Sequence, residues 1–237
     1  LLSVFKFFIA VQTLRQMEQT GTALNAKLTV EENMTDANMY SPMLKKHPRR
    51  PFEISLAELL EYMIAESDNN AADILLKYSG GTGQLEKFLH DLGFSGIDIR
   101  VNEKQMNQKA ENQYLNQAAP SDVAGLIKLV LEKDVLSAEH RKFLSDIMLK
   151  TSTGTDKIKQ GLPPGVMFGH KTGSSSRTAD GIKIADNDAG FVTLTNGHTY
   201  YIAVMITESK LDDRANAALA AQISQTVYNY LTTEKTD

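Results

Sequence analysis

The stretch Asp188–Glu208, DAGFVTLTNGHTYYIAVMITE, decides the fold class of this 237-residue chain. Two runs rich in Val, Ile, Thr, Phe and Tyr flank Asn196-Gly197, a dipeptide that accepts the left-handed backbone of a tight hairpin. Asp188–Thr195 and Thr199–Glu208 are therefore expected as antiparallel strands joined by a two-residue turn. Working outward, Val166–Ser174 reads as a further strand. A last helix is expected from about Asp212 to Leu231. There Ala215, Leu219, Ile223, Val227 and Leu231 repeat every four residues, a stripe suited to lie on a sheet.

Upstream the texture is helical. Ser3–Thr20 reads as a helix closed by Gly21. Ser55-Leu56-Ala57-Glu58 is a capping box that opens a helix to about Glu66. Asn70–Tyr78 and Thr82–Leu92 follow, stopped by Gly80-Gly81 and by Gly93. Ser121–Glu132 and Ser137–Lys150 read as amphipathic helices with serine N-caps. Leu28–Glu31 suits a short strand, residues 32–51 read as a loop, and residues 97–120 carry no periodicity. A polar loop that long inside a compact domain is usually functional or disordered. Helices followed by strands and a closing helix make an α+β pattern: an all-helical lobe packed beside an antiparallel sheet flanked by helices. One domain is expected over residues 1–237, with a helical lobe at 3–160 and a sheet lobe at 161–237.

Composition narrows the function. The hydrophobic fraction of 42% suffices for a sizeable core, and the net charge of −4 gives no footing for nucleic acid. Lys45, Lys46, Arg49 and Arg50 form the one basic run, read as a solvated loop. The absence of cysteine rules out disulfides and thiolate metal sites. His47, His90, His140, His170 and His198 show no metal-ligand spacing, so neither metal nor cofactor is expected. The apolar run Phe5–Val11 is interrupted by Lys6 and is far too short to span a bilayer.

Three short words then stand in order: Ser3-Val4-Phe5-Lys6, Ser67-Asp68-Asn69 and Lys171-Thr172-Gly173. Each has an ordinary reading: an N-cap serine with a surface lysine, an Asx turn between helices, an edge strand with a Gly bulge. Together, each found once, they spell one chemistry: a serine acylated by a β-lactam or a D-alanyl peptide, with lysines as proton partners. Ser3 and Lys6 share a helix face one turn apart, and the unpaired N–H groups of a helix start can hold an oxyanion. Lys6 sits among Val4, Phe5, Phe7, Phe8 and Ile9, a costly place for a charge without a task. Asp68 is expected to brace its turn, Ser67 to shuttle a proton, and Asn69 to bind a substrate amide. Lys171, Thr172 and Ser174 offer a cation and hydroxyls to a carboxylate. Gly173 leaves room for a ligand backbone.

On these words the chain resembles a class A serine β-lactamase from end to end, and is most similar to the cephalosporin-hydrolysing branch of Bacteroides-type bacteria. The resemblance implies a deacylating glutamate with an asparagine four residues on, about thirty-six residues after the serine of the second word. Glu103 lies 36 residues after Ser67 and Glu111 lies 44, so Glu103 and Asn107 are chosen over Glu111 and Asn116. It implies attack by Ser3, an oxyanion held by the N–H groups of Ser3 and Ser174, proton delivery by Ser67, and hydrolysis by a water that Glu103 activates. Either Lys6 or Glu103 could be the acylation base. Lys157 is implied as a further cation for the substrate carboxylate. Many family members carry an arginine two residues before the glutamate; Val101 stands there, beside Arg100, so a different loop path, a wider pocket and a cephalosporin preference are expected. The family also has a helix and two strands ahead of the nucleophile, so residues upstream of Leu1 are expected. The resemblance further implies a monomer, periplasmic or secreted, acting on a small-molecule β-lactam. The competing readings are a D-alanyl-D-alanine peptidase and a non-hydrolytic β-lactam sensor domain, neither of which needs Glu103.

Overall fold

The computed structural model describes residues 1–233. The expected α+β architecture is what forms. A 3-10 turn, Leu2–Val4, leads into helix α1, Phe5–Thr20, which ends as Gly21 turns left-handed at φ 67°. Every residue from Phe5 to Leu14 is buried, so α1 runs through the centre of the core rather than along a surface. Around it stand α3 (Leu56–Ala65), α4 (Asn69–Tyr78), α5 (Gly81–Asp91) and α8 (Ala138–Leu149). A hydrophobic helix on all sides is the expected sequence for such a central position.

Two small elements had little sequence signal. Strand β2 (Phe52–Ser55) pairs antiparallel with β1 (Lys27–Val30), and helix α2 (Pro42–Lys46) lies inside the stretch read as a loop. Each has only four or five residues, too short for a periodic pattern to show. The stretch 97–120 is likewise not pure loop. It holds helix α6 (Glu103–Gln108) and a 3-10 turn, Ala110–Tyr114, both polar and therefore silent in hydrophobic periodicity. Helix α7 (Pro120–Glu132) starts on Pro120 with Ala119 at its cap, so Ser121 caps nothing, whereas Ser137 does cap α8. Proline at the first helical position needs no capped N–H of its own.

The sheet is a three-stranded antiparallel meander, β3 (Met167–Ser174), β4 (Lys183–Thr193) and β5 (Thr199–Ser209). Alternation sorts its side chains onto two faces. Phe191, Tyr201, Ala203 and Met205 join the main core beside α7, and Phe168, Val192, Ile202 and Val204 form a second cluster with Ala220. The hairpin is one residue longer than expected. Leu194 and His198 still pair across it, leaving Thr195-Asn196-Gly197 as the turn with Gly197 at φ 84°. This is the three-residue alternative to a two-residue turn.

Helix α9 (Asp213–Thr233) corrects one expectation outright. Its buried face is Asn216, Ala217, Ala220 and Ser224, whereas Leu219 and Ile223 are exposed. A strict repeat of four drifts by roughly 40° per step on a helix with 3.6 residues per turn, so such a stripe winds off any single face. The small residues win because α9 sits against the 3-10 turn Ile158–Gly161 at backbone distance. A Cβ built on Gly161 would collide with the Ala221 carbonyl and come within 2.9 Å of Ser224 Cβ. Residues 234–237, counted in the expected sheet lobe, lie outside the described residues. The Gly161→Ala variant is expected to lose about 1–3 kcal/mol of stability by overpacking, read as a lowered midpoint in thermal unfolding; an unchanged midpoint would mean that α9 can shift without cost.

Candidate active site

The first two sequence words meet around the Lys6 side chain, and the third joins them through Ser67. Lys6 is fully buried, and its Nζ lies 3.0 Å from Ser3 Oγ, 2.8 Å from the Ser67 carbonyl, 3.4 Å from Ser67 Oγ and 2.6 Å from Asn69 Oδ1. It also pairs with Glu103 Oε1 at 2.9 Å. Ser3 Oγ donates to the same Glu103 oxygen at 3.2 Å. Ser3 itself stands on the 3-10 turn ahead of α1, not on the helix, yet its hydroxyl still reaches the Lys6 one turn later. Lys171 donates to Ser67 Oγ at 2.9 Å and to the Thr172 carbonyl at 2.8 Å. Burial, and after it the positive charge of Lys6, holds the Lys171 ammonium well below the ordinary lysine value.

Ser67 adopts φ 59°, a left-handed backbone that is uncommon away from glycine. Asp68 supports it as expected of a brace. Its Oδ2 accepts from Ser41 Oγ (2.7 Å) and the Met43 N–H (2.8 Å), and its Oδ1 caps α4 through the Ala71 N–H (2.8 Å). Gly173 earns its place by contact. A Cβ there would lie 2.6 Å from the Leu1 carbonyl and 3.0 Å from the Ser3 and Val4 nitrogens, so β3 passes flush against the turn that carries Ser3. Thr172 shares a 2.6 Å hydrogen bond with Thr153. Lys157 donates to Ser174 Oγ at 2.9 Å and to Asp186 Oδ1 at 2.6 Å.

These groups frame a cavity of about 410 Å³ lined by Ser3, Tyr40, Ser67, Asn69, Thr172 and Ser174, with Lys157 and Asp186 at one end. A larger cavity of about 550 Å³, lined by Asp36, Asp73 and Lys104 among others, holds neither Ser3 nor Ser67; side-chain chemistry, not size, picks the site. Asn107 is exposed and donates to the Glu103 carbonyl at 2.9 Å, while Glu111 is exposed. His170, buried, stacks on Phe168 and bonds Asp188 through Nδ1 at 2.8 Å, as strand packing requires. Among the described residues no group of His, Cys, Asp or Glu has the makings of a metal site, and no helix is long and apolar enough to cross a membrane.

Known proteins are similar in sequence and in fold. The model of the beta-lactamase enzyme family matches residues 1–231. A Bacteroides uniformis beta-lactamase is 41% identical over 97% of this chain and 78% of its own. Beta-lactamase VEB-1 of Pseudomonas aeruginosa is 33% identical over 96% and 76%. The crystal structure of a class A beta-lactamase from Bacteroides cellulosilyticus superposes with a TM-score of 0.96 at 43% identity, over 99% of this chain and 84% of that one. This chain belongs to the class A β-lactamases.

What the sequence did not reveal in this β-lactamase is how the loop bearing Glu103 is held. Arg100 points outward to Glu86 and Asp98 and anchors nothing in the site. Two polar side chains do the holding instead. Asp73, on α4, accepts the N–H groups of Glu103 (2.8 Å) and Lys104 (3.0 Å). Asn116, fully buried, accepts from the Arg100 (2.8 Å) and Val101 (3.0 Å) amides and donates to the Val101 carbonyl (2.8 Å). The position weighed as a catalytic partner of Glu111 is thus the clasp of the loop. Their partners are backbone groups 15 to 31 residues away, and no local pattern marks them.

Burial raises the Asp73 carboxyl from 3.8 to about 6, against the lowering effect of its two backbone donors. With the folded value above the unfolded one, its contribution to stability is greatest in acid and is lost as pH rises through about 6. The stability of the wild type relative to Asp73→Asn, followed by thermal unfolding, is expected to fall between pH 4 and pH 6 and then level; a difference that does not vary with pH would exclude a titrating Asp73.

Proposed function

We propose that this chain hydrolyses the amide bond of β-lactam antibiotics through an acyl-enzyme on Ser3. The observation that carries the reading is the Ser3 hydroxyl, which accepts from Lys6 and donates to Glu103, a carboxylate that only the hydrolytic reading requires. Lys6 and Glu103 both lie within hydrogen-bond reach of Ser3 Oγ, at 3.0 and 3.2 Å, so either can take the Ser3 proton. Ser3 Oγ attacks the lactam carbonyl carbon, and the N–H groups of Ser3 and Ser174 hold the oxyanion. As the ring C–N bond breaks, Ser67 passes its proton to the nitrogen and receives in return the proton taken from Ser3, relayed through Lys6, which leaves Glu103 a carboxylate. Glu103 then removes a proton from water, which attacks the ester carbonyl, and returns that proton to Ser3 Oγ as the C–O bond breaks, restoring both residues. Asn69 orients the substrate amide, and Asn107 steadies Glu103 through its carbonyl. Lys171, Thr172 and Ser174 receive the substrate carboxylate and Lys157 adds positive charge, while Gly173, expected to leave room for a ligand, instead makes room for the turn that carries Ser3.

The enzyme acts as a monomer outside the cytoplasm, periplasmic or secreted, where cell-wall drugs arrive. Cephalosporins are its preferred substrates. The support is the anchoring of the Glu103 loop on Asp73 and Asn116, with Val101 where many family members carry an arginine, together with the likeness to a Bacteroides enzyme.

Two measurements test this. With nitrocefin, the wild type is expected to turn over continuously. Glu103→Ala should still form an acyl adduct on Ser3, with Lys6 left to accept the proton, but turn over roughly 10²- to 10⁴-fold more slowly. Intact-mass spectrometry would show the adduct accumulating. Undiminished turnover by the variant would remove Glu103 from the mechanism, and a single burst from the wild type would favour a peptidase or sensor. In a kcat/KM comparison, cephalosporins are expected to exceed penicillins; the reverse order would sink the preference.

A further inference from the structure

The cation end of the cavity holds an acid that the reaction does not use. Asp186, on β4, is only 4% exposed, yet it lines the cavity. One of its oxygens, Oδ1, takes both donors at that end: Lys157 Nζ at 2.6 Å and Ser174 Oγ at 2.6 Å. Lys157 also donates to Ser174 Oγ at 2.9 Å and lies 3.4 Å from the Asn187 carbonyl, so three side chains close on one another. The neighbouring charges are committed as well. Lys183 and Arg177 both meet Asp213, at 3.2 and 2.6 Å. The Lys157–Asp186 pair, withdrawn from water, is screened little by salt.

We infer that Asp186 is a specificity-determining residue that sets how much this site gains from a carboxylate on its substrate. The inference rests on the hydrolytic reading above. A carboxylate entering beside Thr172 and Ser174 meets a lysine and a hydroxyl already turned to another carboxylate. It must share or displace Asp186, and two anions on one ammonium repel. Discrimination between a charged and an uncharged lactam is therefore smaller than Lys157 alone would give, because a fixed like charge works against the charged one. Asp186 forms no bond with Ser3, Lys6, Ser67 or Glu103, so its effect falls on recognition rather than on the acyl chemistry.

The test is the ratio of kcat/KM for a cephalosporin to that for its methyl ester, measured on wild type, Asp186→Asn, Asp186→Ser and the double variant Lys157→Met/Asp186→Asn, each checked for a cooperative thermal transition. Removing the acid alone is expected to raise the acid-to-ester ratio about tenfold, the scale of one charge-assisted hydrogen bond, and to make it more sensitive to salt. The double variant has lost both charges without stranding either one, and its ratio should return toward that of the wild type. An unchanged or lowered ratio in the folded single variants overturns the inference. So does a double variant that keeps the gain, since the gain would then not come from Lys157. If the wild type itself hydrolyses neither compound, it is the hydrolytic reading that fails instead.

Discussion

A charge without water is the constraint from which the site follows. Lys6 lies inside an apolar helix at zero exposure, where an uncompensated ammonium costs several kcal/mol. It is tolerated because acceptors converge on it from different parts of the fold: the turn before α1, the Ser67 turn, the start of α4 and the loop that opens α6. No one of those elements could satisfy it alone. Folding the helical lobe and assembling the reacting groups are accordingly one event, and the groups that neutralise Lys6 are the same ones that the chemistry needs. Removing a partner from such a pair is far more damaging than replacing both.

The sheet enters the site by close approach rather than by charge. Gly173 lets β3 lie against the Ser3 turn, and this contact carries Lys171 within reach of Ser67 from the opposite lobe. The Glu103 loop obeys a third rule. It hangs from two polar side chains that grip backbone amides, an arrangement less open to salt than an exposed arginine pair. Arg100, in two exposed ion pairs, contributes little by comparison.

Much of this was legible in the residues. The three words are local, and each places its side chains within one turn of helix or strand, so reading them needs no tertiary knowledge. Glu103 is picked out only by the offset from Ser67 that the family resemblance implies, whereas Asp68 is legible as a brace because Asx turns are short-range. What escaped was long-range or weakly patterned. Asp73 and Asn116 act on amides far along the chain. Asp186 meets Lys157 only because β4 folds back beside the segment before β3. Helix α6 is too short and too polar for periodicity, and the face of α9 was misread because close packing at Gly161 favours small residues over large ones.

The backbone at Ser67 sets a limit on how this site can change. Its left-handed conformation suits glycine or asparagine better than serine. Drift toward a more relaxed chain would thus come at once, by a single replacement, and would delete the hydroxyl that Lys171 and Lys6 address. Selection for stability and selection for activity pull in opposite directions at this one residue. The four hydrogen bonds that join Ser41, Met43, Ala71 and Ala72 to Asp68 keep the strained choice affordable.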